Sequence, residues 1–385
     1  MDLTQAYSGP FCCMHLADHG AEVIKIEPPS GDQTRRWDPM KNEYSAYFAY
    51  FNRNKKGICL NLKTEEGKEA LRRLIAKSDV VIENFKAGTF ARLGFTYESM
   101  RQINPRIIYG QITGFGLTGP MSNRPAYDIV AQAEGGMMSM NGEPDRNGIK
   151  IGPSIADSFT GTYLSLAIMM ALFNRERTGE GAHVDVSMLD SVFSILESFV
   201  LDYTLLGSIP HRTGNQGVSN APWNSFTAKD GCFVAGCGTD KQWQALCEAL
   251  ALDDLTHDEC YDSPRKRVEN AAYIEARINS ACADLTLDDV EARLVCTGIP
   301  FGRVNNIKQV TELEQIKLRN MLWTIYDPGL RDTLTMPGTP MKFSNEEDSI
   351  TRAAPTLGQD NMEVLCELAG YTPKEAQRLS TFNTI

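Results

Sequence analysis

Residues 11–27 read FCCMHLADHGAEVIKIE, and this stretch decides the fold. Its first nine residues are an apolar run with helical spacing, and Gly20 closes the helix. Val23, Ile24 and Ile26 then predict a short strand. A helix that leads through a glycine into an apolar strand is typical of proteins in which the two elements alternate.

The alternation continues downstream. Apolar residues alternate over residues 58–62 as in a strand, and Thr64 can cap the helix that follows. Strands are also predicted at residues 80–82 and 106–113, with a helix at residues 97–103 between them. Strands separated by crossover helices form a parallel sheet with helices on both faces, so the predicted fold class is α/β.

The middle of the chain has a different pattern. Asp230-Gly231 is a hairpin signal between two extended segments, and helical patterns follow it. A length of 385 residues favours two domains. We therefore predict a large domain over residues 1–200, a small α+β domain over residues 215–310, and a C-terminal segment, residues 311–385, that returns to the large domain.

Composition excludes several classes of protein. The chain has 38 Lys and Arg against 49 Asp and Glu, a net charge of −11, so no nucleic acid or anionic membrane is expected as a partner. The N-terminus lacks the pattern of a secretory signal, and the apolar run at residues 164–173 is short for a membrane span. Ten scattered cysteines indicate reduced thiols and no metal site. We expect a cytoplasmic protein.

Asp157 stands just before the apolar run and has two interpretations. An aspartate ahead of a helix is most often an N-cap. The same position suits a nucleophile, because helix amides and the helix dipole favour the ionised carboxylate, which can attack a carbonyl or thioester. The two roles are compatible.

Residues 114–119 read GFGLTG and have the spacing of a dinucleotide fingerprint. That motif needs a helix beginning at the glycines, whereas Pro120 and Pro125 follow and break any helix. We therefore predict an irregular loop, which argues against a nicotinamide-dependent dehydrogenase.

A second glycine-containing loop, residues 236–239, reads GCGT. It is either a tight turn between a strand and a helix or a loop whose backbone N–H groups stabilise an oxyanion. Five cations lie near the predicted ends of elements in the first half of the chain, either as solvated charges or as a phosphate site. They are Arg35, Arg36, Lys63, Lys86 and Arg92.

These segments together resemble the family III CoA-transferases over nearly the whole chain. The segments that carry the resemblance are Asp2-Leu3-Thr4, Ser8-Gly9-Pro10, residues 20–27, Gly31-Asp32, Thr34-Arg35, Glu83-Asn84-Phe85, residues 113–116, Gly119-Pro120, Ala126-Tyr127-Asp128, Ala156-Asp157 and Leu357-Gly358. The resemblance implies an enzyme that moves CoA from an acyl-CoA to a small carboxylic acid, such as oxalate or another dicarboxylate, with CoA as substrate and no separate cofactor. It also implies an interlocked homodimer with a Rossmann-like large domain.

The resemblance further implies roles for single residues. Asp157 would carry the acyl group as a mixed anhydride and then CoA as a thioester, and Tyr127 would orient a carboxylate or anhydride oxygen. Gly236 and Gly238 would belong to the loop over the active site. The residues matching CoA-binding positions are Arg35, Leu60, Lys63, Asn84, Phe85 and Arg92.

The chain departs from the family pattern in two places. Family members begin about ten residues before Asp2, in the first strand of the sheet, and such a strand typically has five to six residues. Either the start of this chain was misassigned or its sheet has a trimmed edge. Tyr7 stands where the formyl-CoA:oxalate branch has glutamine, which argues against formyl-CoA as donor.

Two alternatives stay open. A 2-methylacyl-CoA racemase, from the same family, needs a histidine where this chain has Tyr127, and tyrosine with a pKa near 10 is a poor base at neutral pH. A noncatalytic CoA-binding protein would have no use for Asp157.

Overall fold

A computed structural model describes residues 1–345 and 349–381, which form two compact units. The first unit combines Met1–Met138, Lys150–Gly207 and the described residues of Glu314–Ile385. The second combines Ser139–Ile149 and Ser208–Leu313.

The elements follow in chain order. Up to residue 140 they are α1 (Ser8–Asp18), β1 (Val23–Glu27), a 3₁₀ helix (Gln33–Arg36), β2 (Met40–Lys41), β3 (Tyr44–Ser45), α2 (Ala46–Asn52), β4 (Lys55–Cys59), α3 (Glu65–Ile75), β5 (Val80–Glu83), α4 (Thr89–Arg92), α5 (Tyr97–Ile103), β6 (Ile108–Thr113), α6 (Asp128–Glu134) and α7 (Met137–Met140). Next come α8 (Ile155–Thr178), β7 (Ala182–Ser187), α9 (Met188–Ser194), α10 (Phe199–Leu206), β8 (Trp223–Ala228), β9 (Gly231–Gly236), α11 (Asp240–Ala249), α12 (Asp253–Thr256), α13 (Pro264–Glu269), α14 (Ala271–Cys282), α15 (Leu287–Val295), β10 (Phe301–Arg303) and α16 (Ile307–Glu312). The last are α17 (Glu314–Leu318), β11 (Leu322–Asp327), β12 (Asp332–Pro337), α18 (Asn361–Glu367) and α19 (Pro373–Thr381).

The first unit is built on a parallel sheet. Strand β1 pairs with β4, with Val23 opposite Lys55, and β6 pairs with both β5 and β7. Asp2 bridges the two halves, because it pairs in parallel with Lys25 of β1 and with Ile82 of β5. The first residues therefore lie in the middle of the sheet, between β1 and β5, and not at its edge.

Helices cover both faces of this sheet. One apolar cluster joins β-strand residues such as Val81 to Leu71 of α3 and Val364 of α18. The other joins Ile82 to residues of α1 and to Leu164 of α8. Neighbouring strand residues thus point to opposite clusters, as the period of a strand requires. The predicted α/β class is confirmed.

Helix α8 is longer than the apolar run from which it was predicted. By length and composition alone this 24-residue helix could cross a membrane. One side packs in the core, because Leu164 and Ile168 are fully buried, and near its end Arg175 is buried and paired with Asp79. We therefore interpret α8 as a core helix of the first unit.

The second unit contains an antiparallel three-stranded sheet in the order β10–β9–β8. The predicted hairpin at Asp230-Gly231 joins β8 to β9. Helices α11, α14 and α15 pack on the sheet through buried residues such as Leu246, Ile278 and Leu294.

The C-terminal segment closes the free edge of β4. The Asp360 side chain accepts a hydrogen bond of 2.7 Å from the Gly57 amide, and Asn361 accepts one of 2.8 Å from the Cys59 amide. Within the described residues β4 has β1 as its one partner strand, so these side chains satisfy N–H groups on its other edge.

A fully buried network of charges ties the parallel strands together. The Lys55 ammonium donates to Asp2 at 2.8 Å, and the Lys25 ammonium donates to Asp32 at 2.9 Å and to the Thr4 carbonyl at 2.5 Å. Burial alone would raise the pKa of the Asp2 carboxyl, but Lys55 and Lys25 together hold it below its ordinary value. The network therefore holds ionised groups inside the sheet.

We expect Lys55→Met to lower the free energy of unfolding by about 3–5 kcal/mol, because it removes the ammonium that pairs with the buried Asp2. Urea denaturation at pH 7 measures the loss. The control is Arg106→Met, which breaks the Arg106–Glu176 pair, whose side chains are 50% and 69% exposed, and should change stability by about 0.2–1 kcal/mol. Similar losses for the two variants would contradict the interpretation.

Candidate active site

A cavity of about 610 Å³ lies in the first unit at the carboxyl ends of β5 and β6. Asn84 and Phe85, which follow β5, form part of its wall, and Gly114 follows β6. Tyr7 and Asp157 come from the starts of α1 and α8. Clefts at the carboxyl ends of parallel strands are where α/β proteins bind ligands.

Two helices cross closely beside this cavity. A Cβ at Gly161 of α8 would lie 2.5 Å from the Ser8 carbonyl oxygen of α1, so only glycine permits the approach. The crossing brings the start of α1 to Asp157, and Ser8 donates hydrogen bonds to this carboxylate from its backbone amide and its hydroxyl. The start of α1 therefore holds the Asp157 carboxylate in place.

Asp157 is not the N-cap of α8. Ser154 occupies the N-cap position, and Asp157 is the third residue of the helix. The Asp128 side chain takes over the capping, because it accepts a 2.9 Å hydrogen bond from the Ala156 amide. Asp128 is itself held by Gln132, which donates to it at 2.7 Å. The N-cap interpretation of Asp157 is wrong.

The environment of Asp157 favours its neutral form. Burial raises the pKa of the carboxyl to about 7, the nearby Asp128 adds to this rise, and the hydrogen bonds from Ser8 partly oppose it. The expectation that the helix N-terminus keeps this group ionised fails below pH 7, because desolvation outweighs the favourable dipole.

Aromatic rings form one wall of the cavity. Trp37 and Tyr47 line it, with ring centroids 5.4 Å apart, and Tyr7 lies 6.4 Å from Tyr47. Burial raises the pKa of Tyr47, and the Asp157 charge adds to the effect, so this phenol stays protonated at neutral pH. The wall offers apolar surface with neutral hydroxyl groups.

The structure brings four of the predicted site residues to this cavity: Asp157, Tyr127, Asn84 and Phe85 all line it. Tyr127 is 71% exposed and directly precedes α6. Asn84 is fixed by two hydrogen bonds with the backbone of Gln5, at 2.7 and 2.8 Å.

The other predicted CoA-binding residues lie outside the cavity wall. Arg35 donates twice to Glu27, each time at 2.7 Å, and its guanidinium stacks on Phe48. A phosphate would therefore compete with Glu27 for Arg35. Leu60 is buried in the core, whereas Lys63 and Arg92 are exposed.

Gly236 and Gly238 belong to the second unit. Gly236 ends β9, and the Gly238 amide donates to the Gln242 side chain at 2.9 Å. These contacts form a tight turn between β9 and α11, and the oxyanion role of this loop stays a prediction.

Residues 1–361 match the profile of CoA-transferase family III. The chain belongs to this family. It is therefore an enzyme that transfers CoA between an acyl-CoA and a carboxylate.

Similar proteins cover nearly the same length. The succinyl-CoA:mesaconate CoA-transferase of Haloarcula marismortui is 38% identical over 95% of this chain and 94% of its own. The acetyl-CoA:oxalate CoA-transferase of Acetobacter aceti is 37% identical over 97% and 95%. The crystal structure of a CAIB/BAIF family protein from Brucella suis has a TM-score of 0.85, with 38% identity over 95% of this chain and 97% of that one.

Sequence reasoning missed part of this transferase's cavity wall. Arg124, Lys150 and Lys86 all line it. Lys86 alone of these three cations was considered from the sequence. Arg124 pairs with Glu134 at 2.6 Å, and the Lys150 ammonium donates to the carbonyls of residues 151 and 152. The segment Ala126-Tyr127-Asp128 contains the residue that caps α8, but its spacing along the chain does not predict this contact.

A hydrogen-bond network behind the wall holds the segment after β5. The Phe85 amide donates to Glu83 at 2.5 Å, and the Tyr109 hydroxyl donates to Glu83 at 2.9 Å. Gln111 donates to the same carboxylate and is itself bonded to His183 at 2.7 Å. The position of Phe85 in the cavity therefore depends on side chains of β6 and β7.

We expect Asp157→Asn to stabilise the protein more at pH 8 than at pH 4. A folded-state pKa of about 7 against an ordinary value of 3.8 means that ionisation destabilises the fold progressively between these values. The gain at pH 8 should be on the order of 1–3 kcal/mol, less than the full shift implies because Asp157 is partly exposed. Urea denaturation at both pH values measures it.

Asp190→Asn is the matched control. Asp190 is the third residue of α9, as Asp157 is of α8, but it is exposed. This variant should change stability little at either pH. A pH-independent effect of Asp157→Asn would contradict the burial argument.

Proposed function

We propose that Asp157 is the nucleophile of an acyl-CoA:carboxylate CoA-transferase that acts on a small acid. The observation that carries the proposal is a half-buried carboxylate held by Ser8 in the wall of a cavity of about 610 Å³, whose lining also includes cations and aromatic rings. The relatives named above use succinyl-CoA or acetyl-CoA with mesaconate or oxalate. We infer that the acceptor here is likewise a small carboxylic acid, with oxalate or another small dicarboxylate as candidates.

The proposed reaction has four balanced steps. The ionised Asp157 attacks the acyl-CoA thioester carbonyl and releases CoA thiolate, which leaves a mixed anhydride. The thiolate then attacks the aspartyl carbonyl of the anhydride, releasing the donor acid and forming an aspartyl-CoA thioester. The acceptor carboxylate attacks this thioester, giving a new anhydride and thiolate. Finally the thiolate attacks the acceptor's acyl carbon, forms the new acyl-CoA and frees Asp157.

Other residues support individual steps in this proposal. Tyr127 and the neutral Tyr47 can donate hydrogen bonds to carboxylate or anhydride oxygens. Lys86 forms no ion pair with the residues that the structure describes, which leaves its ammonium group for an anionic substrate. Asn84 and Phe85 line the same cavity and would contact the bound CoA.

The racemase alternative is disfavoured by the same cavity. Proton abstraction beside a thioester needs an acid and a base on opposite faces of the substrate. Over the described residues no histidine lines the cavity, and Tyr127 stands where the racemases have one.

Asp157→Ala should lower the transfer rate about a hundredfold or more, because no carboxylate remains to form the anhydride. In the parent protein, incubation with acyl-CoA should leave an adduct on the Asp157 peptide that hydroxylamine removes, as seen by mass spectrometry. Near-parental transfer by the alanine variant would disprove the role.

The transfer rate of the parent protein should rise with pH up to about 7 and then level, because only the ionised Asp157 carboxylate attacks.

We further propose an interlocked homodimer. Apolar side chains on α8 and α10 are open to solvent in the single chain, among them Phe173 at 69% and Leu205 at 78% exposure. A second copy that covers these residues would remove a large apolar surface from water.

Differently tagged dimers should not exchange subunits under native conditions, because separating interlocked chains requires unfolding. Mixing the two tagged forms and analysing them by native mass spectrometry over hours tests this expectation. Brief unfolding and refolding of the mixture is the control and should produce mixed dimers. Rapid exchange without denaturant would contradict interlocking.

A further inference from the structure

Tyr7 presents a fixed hydroxyl group to the cavity. It lines the cavity, and its ring is packed 4.4 Å from that of Phe51 and 5.5 Å from that of Phe11, centroid to centroid. Rings packed on two sides keep the phenol oxygen in one position. A ligand in the cavity therefore meets this oxygen at a defined place.

The Tyr7 phenol and the Asp157 carboxylate line the same cavity. Two consecutive residues of the first segment contact two consecutive residues of α8: Ser8 binds Asp157, and the Tyr7 hydroxyl bonds to the Ser158 hydroxyl at 2.8 Å. An acid whose carboxyl group reacts at Asp157 therefore extends into a cavity whose wall includes Tyr7.

The direction of the hydrogen bonds determines what Tyr7 can offer. The Ser158 hydroxyl donates to the Ser154 carbonyl at 3.0 Å, and a hydroxyl has a single hydrogen to donate. The 2.8 Å contact itself permits either hydroxyl to donate, and we infer that Ser158 gives its one hydrogen to Ser154, which makes Tyr7 the donor to Ser158. The phenol hydrogen is occupied, and only oxygen lone pairs remain for a ligand.

We propose that Tyr7 selects an acid that carries a hydroxyl group close to its reacting carboxyl, that is, a hydroxy acid. This inference rests on the proposed function and narrows its acceptor. A substrate hydroxyl can donate to the Tyr7 oxygen, whereas a carboxylate or carbonyl oxygen at the same place would face its lone pairs without a hydrogen between them.

The test compares succinate with 2-hydroxysuccinate, both enantiomers, as acceptors from one acyl-CoA donor. The parent should show a kcat/KM about tenfold higher for one hydroxy enantiomer than for succinate, on the scale of one good hydrogen bond. Tyr7→Phe should abolish this ratio by removing the acceptor oxygen. A parent ratio of one or below, or an unchanged ratio in Tyr7→Phe, would overturn the proposal.

Ser158→Ala provides a sharper variant, because it removes the acceptor of the phenol hydrogen. Tyr7 can then donate to a substrate oxygen, so kcat/KM for succinate should rise relative to 2-hydroxysuccinate. Combining it with Tyr7→Phe should cancel the rise. A Ser158→Ala ratio equal to the parental one would contradict the assigned direction of the hydrogen bond.

Detection of the Asp157 adduct distinguishes failure of the proposed selectivity of Tyr7 from failure of the proposed transferase function. If it forms from acyl-CoA while both acids are used equally, the selectivity proposal fails and the proposed function stands. If no adduct forms in the folded parent and neither acid accepts CoA, the proposed function fails.

Discussion

The pairing of buried lysines and aspartates at the centre of the parallel sheet underlies much of the first unit. Lys25 and Lys55 are completely buried on neighbouring strands, and Asp2 lies in the same interior with no exposed surface. A buried charge is tolerated only with a partner of opposite sign, so the register of β1 against β4 and the path of the first residues are linked. The same network reaches the Thr4 carbonyl, four residues before α1 begins. The start of α1 is in turn where Ser8 holds Asp157.

Two aspartates in one unit, Asp2 fully buried and Asp157 half-buried, thus have opposite properties. Asp2 lies between two lysines, and its pKa is held below the ordinary value. Asp157 has hydroxyl and amide donors but a second carboxylate, Asp128, nearby, and burial raises its pKa to about 7. The two lysines keep the Asp2 carboxylate ionised, and the resulting ion pairs tie the strands of the sheet together. The surroundings of Asp157 keep its carboxylate close to the neutral form, which fits the proposed role of this residue, because a carboxylate loses its charge on forming an anhydride or a thioester.

Periodicity predicted the elements well where the pattern is local. The strand at residues 23–26 and the capping of α3 by Thr64 are both present. The same reasoning placed Asp157 at the N-cap of α8, whereas it is the third residue of the helix. The helix begins before its apolar run, with Ser154 at the N-cap position and the distant Asp128 as the capping side chain. That reasoning also missed Arg124 and Lys150, since a cation's presence in a cavity wall depends on how loops converge in space. Asn84 and Phe85, which the resemblance implies as CoA-binding residues, line the cavity, and their role in binding CoA stays a prediction. The pair of Arg35 with Glu27 depends on a contact that no local pattern shows.

The closure of β4 by the end of the chain has a consequence for synthesis on the ribosome. The Gly57 amide cannot donate to the Asp360 side chain until that residue, 303 positions later in the chain, has been synthesised. At roughly 5–20 residues per second, the ribosome needs about 15–60 s to make that stretch. During this interval a nascent chain can form its first strands but not the partner of their outer edge. The new enzyme thus has an open strand edge at first, and chaperones that bind such edges have their longest access to it before Asp360 emerges.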